Sequence, residues 1–265
     1  MMMVHTYLSR EDAPIDAETW TLLDSTMVEA ARTILTGRRI LEIEGPYGLG
    51  LKAIPLADCP DDEGMITSPV VPVNLLQKTF LMSKRDLAAY ERDRLPLNLD
   101  GVATTALACA RREDALIFHG AAGWPGLLTA EDATELKLSS WNSVGKAADE
   151  IIKGVTQLDD AGFHGPYSLA LSPARFNQLF RRYPQGSTTE LEHIREIVTS
   201  GIVKAPILAK GGVLIASGRQ YLSIVLGQDM SVGFIGPAGS DLEFSVSESL
   251  ALMIRQAGVI CALVE

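Results

Sequence analysis

Residues 45–75 constrain the fold more than any other stretch of this 265-residue chain. They read GPYGLGLKAIPLADCPDDEGMITSPVVPVNL, which is rich in glycine and proline, has an acidic run at residues 58–63 and contains only short apolar stretches. The segment is long for a connection inside a compact domain. It is typical of a two-stranded excursion, which cannot bury both of its faces alone. The sequence therefore predicts an arm that needs a partner chain.

The arm begins with GPYGLG, directly after the strand-like run at residues 39–44. A glycine-rich loop after a strand can bind phosphate, but a Walker loop needs a lysine and a serine or threonine after its last glycine. A dinucleotide fingerprint is GxGxxG between a strand and a helix, but here Pro46 fills the second position and the segment after Gly50 cannot form a helix. Neither pattern is present, so we interpret the motif as a tight turn in which glycine permits positive φ. The same tripeptide returns at residues 165–167, which favours two turns of one type.

A helix is predicted over residues 16–36, before any strand. Asp16 is a plausible N-cap, and Gly37 is a typical stop. Apolar residues recur at steps of three and four along one face, which predicts an amphipathic helix; they are Trp20, Leu23, Met27, Ala30 or Ala31, and Ile34. The apolar stripe either packs on the core or faces a partner.

The remaining pattern predicts an α+β fold, with helices first and strands later. Residues 1–15 are polar and are expected to form an extended arm. Long helices are expected at residues 100–118 and 144–161, and the last third of the chain is rich in strands. Asp229 is expected in a turn between two of those strands.

Composition excludes several classes of function. The net charge of −10 disfavours nucleic acid as a partner, because an acidic surface repels phosphates. Three widely spaced cysteines, Cys59, Cys109 and Cys261, argue against a disulfide framework or a structural zinc site. The N-terminus lacks the pattern of a signal peptide, and no apolar run is long enough to span a membrane. We therefore expect a cytoplasmic protein with no membrane partner.

No catalytic or metal site is indicated. The four histidines, His5, His119, His164 and His193, have no metal-ligand spacing. There is no GxSxG nucleophile elbow. Cys109 lies on the apolar face of a predicted helix, where a core role is favoured over a nucleophile. The sequence therefore predicts neither an enzyme nor a metal-binding protein.

A family resemblance extends along nearly the whole chain. The matching stretches are GRRILEIEGPYGLG at 37–50, REDALIFHG at 112–120, GLLT at 126–129, FHGPYSLALSP at 163–173, RRYP at 181–184, LGQDMSVGF at 226–234 and the C-terminal ICALVE. In this order and spacing they resemble an encapsulin shell protein of the linocin-like family, which builds bacterial nanocompartments.

The resemblance implies an HK97-like phage capsid fold with a peripheral domain, an axial domain and an extended arm, the E-loop. The implied division is an N-terminal arm and lumenal helix at 1–37; a peripheral domain at 38–44, 79–139 and 225–250; the E-loop at 45–78; and an axial domain at 140–224 and 251–265. The GPYGLG turn would launch the E-loop, so its role would be assembly.

The resemblance also implies function. Family members form closed icosahedral shells, and this length favours the small class of about sixty subunits (T=1). The shell encloses a cargo enzyme, commonly a ferritin-like iron-oxidising protein or a dye-decolourising peroxidase, which carries a C-terminal targeting peptide. The implied peptide-binding residues are Met27, Val28, Ala31, Ile34, Leu35, Arg38, Asp229, Met230 and Val232. The alternative is that Met27 and Ile34 pack the shell wall.

A pore loop at the fivefold axis is implied at Arg181, Arg182, Tyr183, Pro184, Gln185, Gly186, Ser187 and Thr188. Repeated arginines would favour anions; the alternative is that Arg181 and Arg182 end a helix and interact with its dipole.

Some members bind flavin through a tryptophan, but Arg85 occupies the matching place here. Tyr90 could stack on a ring, yet we expect no cofactor. Two rival functions stay open: a phage or prophage major capsid protein of the same fold, and an enzyme.

Overall fold

A computed structural model describes residues 6–121 and 123–265. The described chain divides into two compact units. The first unit contains residues 6–35, 44–113 and 225–251, and the second contains residues 36–43, 114–224 and 252–265. The first five residues of the expected N-terminal arm lie outside the described residues.

The described residues contain six α-helices and thirteen strands. The helices are α1 (Ala17–Arg32), α2 (Lys84–Asp93), α3 (Asp100–His119), α4 (Lys146–Asp160), α5 (Pro173–Gln178) and α6 (Glu190–Ile197). The strands are β1 (Glu42–Glu44), β2 (Ala53–Pro55), β3 (Cys59–Pro60), β4 (Ile66–Thr67), β5 (Val70–Pro72), β6 (Asn74–Ser83), β7 (Thr134–Lys137), β8 (Tyr167–Leu171), β9 (Gly201–Lys204), β10 (Gly212–Ala216), β11 (Leu222–Ala238), β12 (Asp241–Ile254) and β13 (Ile260–Val264). The predicted α+β class is confirmed.

A four-stranded sheet in the order β1-β11-β12-β6 forms the framework of the first unit. Strands β12 and β6 pair antiparallel, from Asp241 opposite Ser83 to Leu250 opposite Asn74. Phe244 lies at the centre of the core, with its ring centroid 5.8 Å from that of Trp20 and 5.4 Å from that of Phe234. Around it pack buried residues of α1, α2 and α3, so the three helices share one hydrophobic core with the sheet.

The predicted excursion consists of two small ladders. Strand β2 pairs with β5, and β3 pairs with β4; both pairs are antiparallel. Strand β6 begins at Asn74, so the last residues of the predicted arm at 45–78 already belong to the four-stranded sheet. A two-stranded ladder is at best marginally stable in water, and each of these ladders consists of only two strands.

The GPYGLG motif forms the predicted turn. Gly45 has a φ of 108°, a backbone conformation that residues with a side chain rarely adopt. The Tyr47 amide donates a hydrogen bond to the Leu226 carbonyl at 3.0 Å. In the repeated tripeptide, Gly165 has a φ of 78°, and both glycines precede a cis proline. A single turn type for the two tripeptides stays a prediction.

The second unit is built on a five-stranded sheet in the order β7-β13-β10-β8-β9. Its inner pairs, β13–β10 and β10–β8, are antiparallel, whereas the outer pairs, β7–β13 and β8–β9, are parallel. Helix α4 packs on this sheet, where Gly154 lies beside Leu214 and Cys261. Because β7 pairs with β13, residues 114–139 group with this unit, although the resemblance had placed them with the peripheral segments.

Three local predictions are wrong. Two 3₁₀ turns, Thr6–Leu8 and Arg10–Asp12, replace the described part of the extended arm. Helix α1 ends at Arg32 rather than 36, and the amides of Thr36 and Gly37 instead donate to the buried Asp114 carboxylate. Asp229 lies within the continuous strand β11 rather than in a turn. No helix in the described part of the chain meets the length and hydropathy of a membrane span.

Candidate cargo-binding surface and pore loop

Helix α1 presents one face to the sheet of the first unit. The Asp16 carboxylate accepts the Thr19 amide at 2.7 Å and starts the helix, as predicted. Leu23, Met27 and Ala31 recur every fourth residue and are buried. The inner face of α1 is therefore part of the core, which favours the packing alternative for Met27.

A smaller cluster continues beyond the end of α1. Ala31, Leu35 and Ala110 are buried there, and the half-buried Ile34 and Met230 pack against them. Met230 also contacts the main core of the unit. This cluster brings the C-terminal end of α1 beside β11, as the resemblance implied.

The nine implied peptide-binding residues separate into two groups of four in the first unit, and Arg38 in the second. Met27 (3% exposed), Ala31, Leu35 and Val232 are buried in the first unit and offer little surface. Val28, at 37%, and Asp229 are exposed, whereas Ile34 and Met230 are half-buried. We name Val28, Ile34, Asp229 and Met230 the α1–β11 surface. Arg38 belongs to the second unit, where it lies half-buried in the 3₁₀ turn Gly37–Arg39.

Asp229 is held by its own neighbours on β11. The Met230 amide donates to the Asp229 carboxylate at 2.8 Å, and the Ser231 hydroxyl donates to the Asp229 carbonyl at 2.9 Å. The exposed carboxylate is thus held by the backbone of β11. An apolar patch with a fixed polar anchor is the arrangement that a short extended peptide needs.

Residues 7–13, which we name the N-terminal strap, make contacts that sequence reasoning missed. The Arg10 guanidinium forms two hydrogen bonds with the Asp24 carboxylate, at 3.1 and 2.7 Å. It also lies 4.0 Å from the centroid of the Trp20 ring. Arg10 and Asp24 are fourteen residues apart, and no local pattern links them.

The predicted pore loop connects α5 to α6. The Tyr183 amide donates to the Thr188 carbonyl at 3.1 Å, and a bridge joins Arg182 to Thr189. Residues 184–188, at the tip, are exposed. A capping box between Thr189 and Glu192 starts α6 directly after the loop. The loop is therefore a short hairpin with a polar, solvated tip.

Arg181 anchors the base of this loop. Its guanidinium lies 3.1 Å from the Glu190 carboxylate and also donates to the carbonyls of Gln178 and Trp141. Glu190 is fully buried, and it accepts the Gly145 amide at 2.7 Å. Helix α5 ends at Gln178, whose carbonyl accepts from the Arg181 guanidinium at 2.9 Å, so the helix-end alternative stays open for Arg181. Arg182 is exposed, whereas Arg181 is half-buried.

The two buried cysteines, Cys109 and Cys261, are not suited to nucleophilic attack. Cys59, Cys109 and Cys261 are all free thiols. Burial raises the pKa of the Cys109 thiol to about 11, so the thiol stays protonated at neutral pH. Burial also raises the pKa of Cys261. Cys109 instead packs in the core, as predicted, and donates to the Val246 carbonyl.

Tyr90 is engaged within the first unit. Its hydroxyl donates to the Glu18 carboxylate at 3.1 Å, and the Arg94 guanidinium lies 5.3 Å from its ring centroid. Arg94 also forms an ion pair with Glu18. A flavin stacking on Tyr90 would have to compete with the Arg94 side chain, and the absence of a cofactor stays a prediction.

Comparison with known proteins identifies the family. A family model described as "Encapsulating protein for peroxidase" matches residues 5–251. The type 1 encapsulin shell protein EncA of Myxococcus xanthus is 31% identical over 97% of this chain and 96% of its own length. The chain belongs to the encapsulin family.

Solved structures support the encapsulin fold. A virus-like particle from Pyrococcus furiosus matches with a TM-score of 0.78 and 21% identity, over 93% of this chain and all of that chain. The capsid of Myoviridae phage XM1 matches with a TM-score of 0.59 and 14% identity, over 84% of this chain and 88% of that chain. The predicted HK97-like capsid fold is therefore confirmed.

The two faces of α1 predict different effects of substitution. Met27→Ala leaves a cavity in the core and should lower the free energy of unfolding by about 2–5 kcal/mol. The matched control Val28→Ala, on the outer face, should change it by less than about 0.5 kcal/mol. Urea unfolding at equal protein concentration measures both values. Equal losses would contradict the assignment of the two faces.

The pore-loop arginines predict a second contrast. Arg181→Gln removes the charged partner of the buried Glu190 and should lower the free energy of unfolding by about 3 kcal/mol. Arg182→Gln, one residue later, should change it by less than about 0.5 kcal/mol. The same unfolding measurement applies. A stable Arg181→Gln variant would show that Arg181 does not anchor the loop.

Proposed function

We propose that the protein is the shell subunit of an encapsulin nanocompartment in the cytoplasm, assembling with copies of itself around a cargo enzyme. The observation that carries this proposal is the encapsulin match along nearly the whole chain. The protein has a structural role without catalysis or a cofactor of its own. The protonated core thiol of Cys109 agrees with that role.

The arm at residues 45–73 supports assembly. Its two ladders expose several large apolar side chains: Tyr47, Leu56, Met65, Ile66 and Val70. Exposed apolar groups on a marginal ladder mark an interaction site. We propose that the arm acts as the E-loop and pairs with a neighbouring subunit in a closed icosahedral shell of about sixty copies (T=1).

The α1–β11 surface supports cargo binding. Val28, Ile34 and Met230 offer apolar contacts, and Asp229 offers a fixed charge. We propose that a C-terminal targeting peptide of the cargo docks there, on side chains that the core does not already use. The family description names a peroxidase, and the resemblance adds ferritin-like proteins that store iron.

Substrates of the enclosed enzyme would pass through pores. We propose that residues 181–188 line the fivefold pore. Since Arg181 is bound to Glu190, the positive charge offered to passing molecules would come from Arg182. Five copies around an axis would favour small anions.

A phage or prophage major capsid protein is the alternative function. The XM1 capsid shares the fold, but at 14% sequence identity the similarity indicates the fold alone and not the function. The 31% identity to an encapsulin shell protein over 97% of the chain favours the compartment.

Assembly tests the proposal directly. The chain expressed alone should form uniform hollow particles in negative-stain electron microscopy, with a diameter that reports the shell class. Ile66→Asp combined with Val70→Asp should prevent assembly, because charges replace apolar arm contacts, and should leave the circular dichroism spectrum unchanged.

The matched control is Asp62→Ala, an exposed polar residue on the same arm, which should still form particles. Soluble monomers from the unmodified chain would contradict the shell function. Normal particles from the double variant would show that this arm does not pair between subunits.

A further inference from the structure

The N-terminal strap is held by two side-chain anchors on the first unit. The first is Arg10, whose side chain is only 14% exposed. Its guanidinium donates two hydrogen bonds to the Asp24 carboxylate, the bidentate geometry that arginine and a carboxylate favour. The guanidinium also lies over the face of the Trp20 ring. This anchor recognises an arginine by charge, shape and stacking together.

The second anchor is Leu8, which is 6% exposed. It lies against Gly233 of β11, where a Cβ atom would come within 3.1 Å of the Leu8 carbonyl oxygen and 3.2 Å of its Cδ2 atom. A side chain at position 233 would therefore push the strap away from the strand. The absence of a side chain at Gly233 creates the space in which Leu8 is buried.

Between the anchors, Ser9 has a φ of 48°, an uncommon conformation for a residue other than glycine. Hydrogen bonds from the amides of Asp12 and Ala13 to the carbonyls of Ser9 and Arg10 close the following turn. The strap thus adopts a defined peptide conformation that directs Leu8 and Arg10 to separate sites.

The strap lies on the same two elements as the α1–β11 surface. Asp24 is one helical turn before Val28 on α1, and Gly233 is three residues after Met230 on β11. On α1, the Arg10 anchor at Asp24 therefore borders the surface on which we place the cargo peptide.

We propose that α1 and β11 form a peptide-binding groove for an apolar residue followed two positions later by arginine, and that the strap is its exchangeable ligand in cis. The strap closes one end of the cargo surface and limits the length of peptide that binds there. A peptide with the same two residues displaces the strap and extends its contact along α1. The part concerning cargo rests on the proposed function, whereas the groove itself does not.

A synthetic peptide of residues 6–13, TYLSREDA, is the probe. Its fluorescently labelled form should bind a chain lacking residues 1–13 about tenfold more tightly than the full chain, because the tethered strap competes at high effective concentration. Fluorescence anisotropy measures both affinities. Equal affinity for the two chains would overturn the proposal.

Peptides carrying Leu8→Ala or Arg10→Ala should each bind about tenfold more weakly than the parent, and Glu11→Ala, outside both anchors, serves as the matched control. On a chain carrying Asp24→Ala, the Arg10→Ala peptide should bind as tightly as the parent peptide, which would support the assigned contact between Arg10 and Asp24. Equal affinities of the parent peptide and the Leu8→Ala and Arg10→Ala peptides would contradict it.

The full-length Arg10→Ala chain keeps the test decisive if the shortened chain fails to fold. Its loosened strap should let the parent peptide bind more tightly than it binds the unmodified chain, and unchanged affinity would refute exchange. Electron microscopy of the same preparations reports assembly separately. Particles without peptide binding would reject the groove alone, whereas peptide binding without particles would reject the shell function alone.

Discussion

The packing of α1 on the sheet is the interaction on which the first unit depends. Leu23 and Met27 enter a core centred on Phe244, together with residues of α2, α3 and β6. A helix of sixteen residues is only marginally stable when isolated in water. Burial of several large side chains on one face of α1 supplies most of its stability in the folded chain. Because that face is used in the core, the outer face of α1 remains available for recognition.

In the shell that we propose, assembly would depend on the opposite situation, a segment that the chain itself does not cover. The arm has the Gly45 turn at its start and two short ladders along its length, with apolar side chains left exposed. Such a segment gains stability when another chain completes it. In a closed symmetric particle the same contact recurs in every subunit, so a modest contact stabilises the whole.

Local patterns in the sequence predicted the Asp16 cap, the apolar stripe of α1, the long helix α3 and the arm. Each of these depends on neighbouring residues. The early end of α1 depends on a distant residue. Helix α1 ends early where Asp114, 78 residues away from Thr36, binds two amides. The Arg10–Asp24 and Arg181–Glu190 pairs likewise join separate elements, so the sequence offers no periodicity or spacing that would reveal them.

Hydrogen–deuterium exchange of assembled shells tests the central claim, that α1 is docked by its inner face and recognises cargo with its outer one. Empty shells made from the chain alone would be compared with shells isolated with their native cargo. Residues 17–32 should exchange slowly in both preparations, and residues 28–34 and 229–231 should gain protection on cargo loading. Rapid exchange of α1 in empty shells, or cargo-dependent protection confined to other segments, would contradict it.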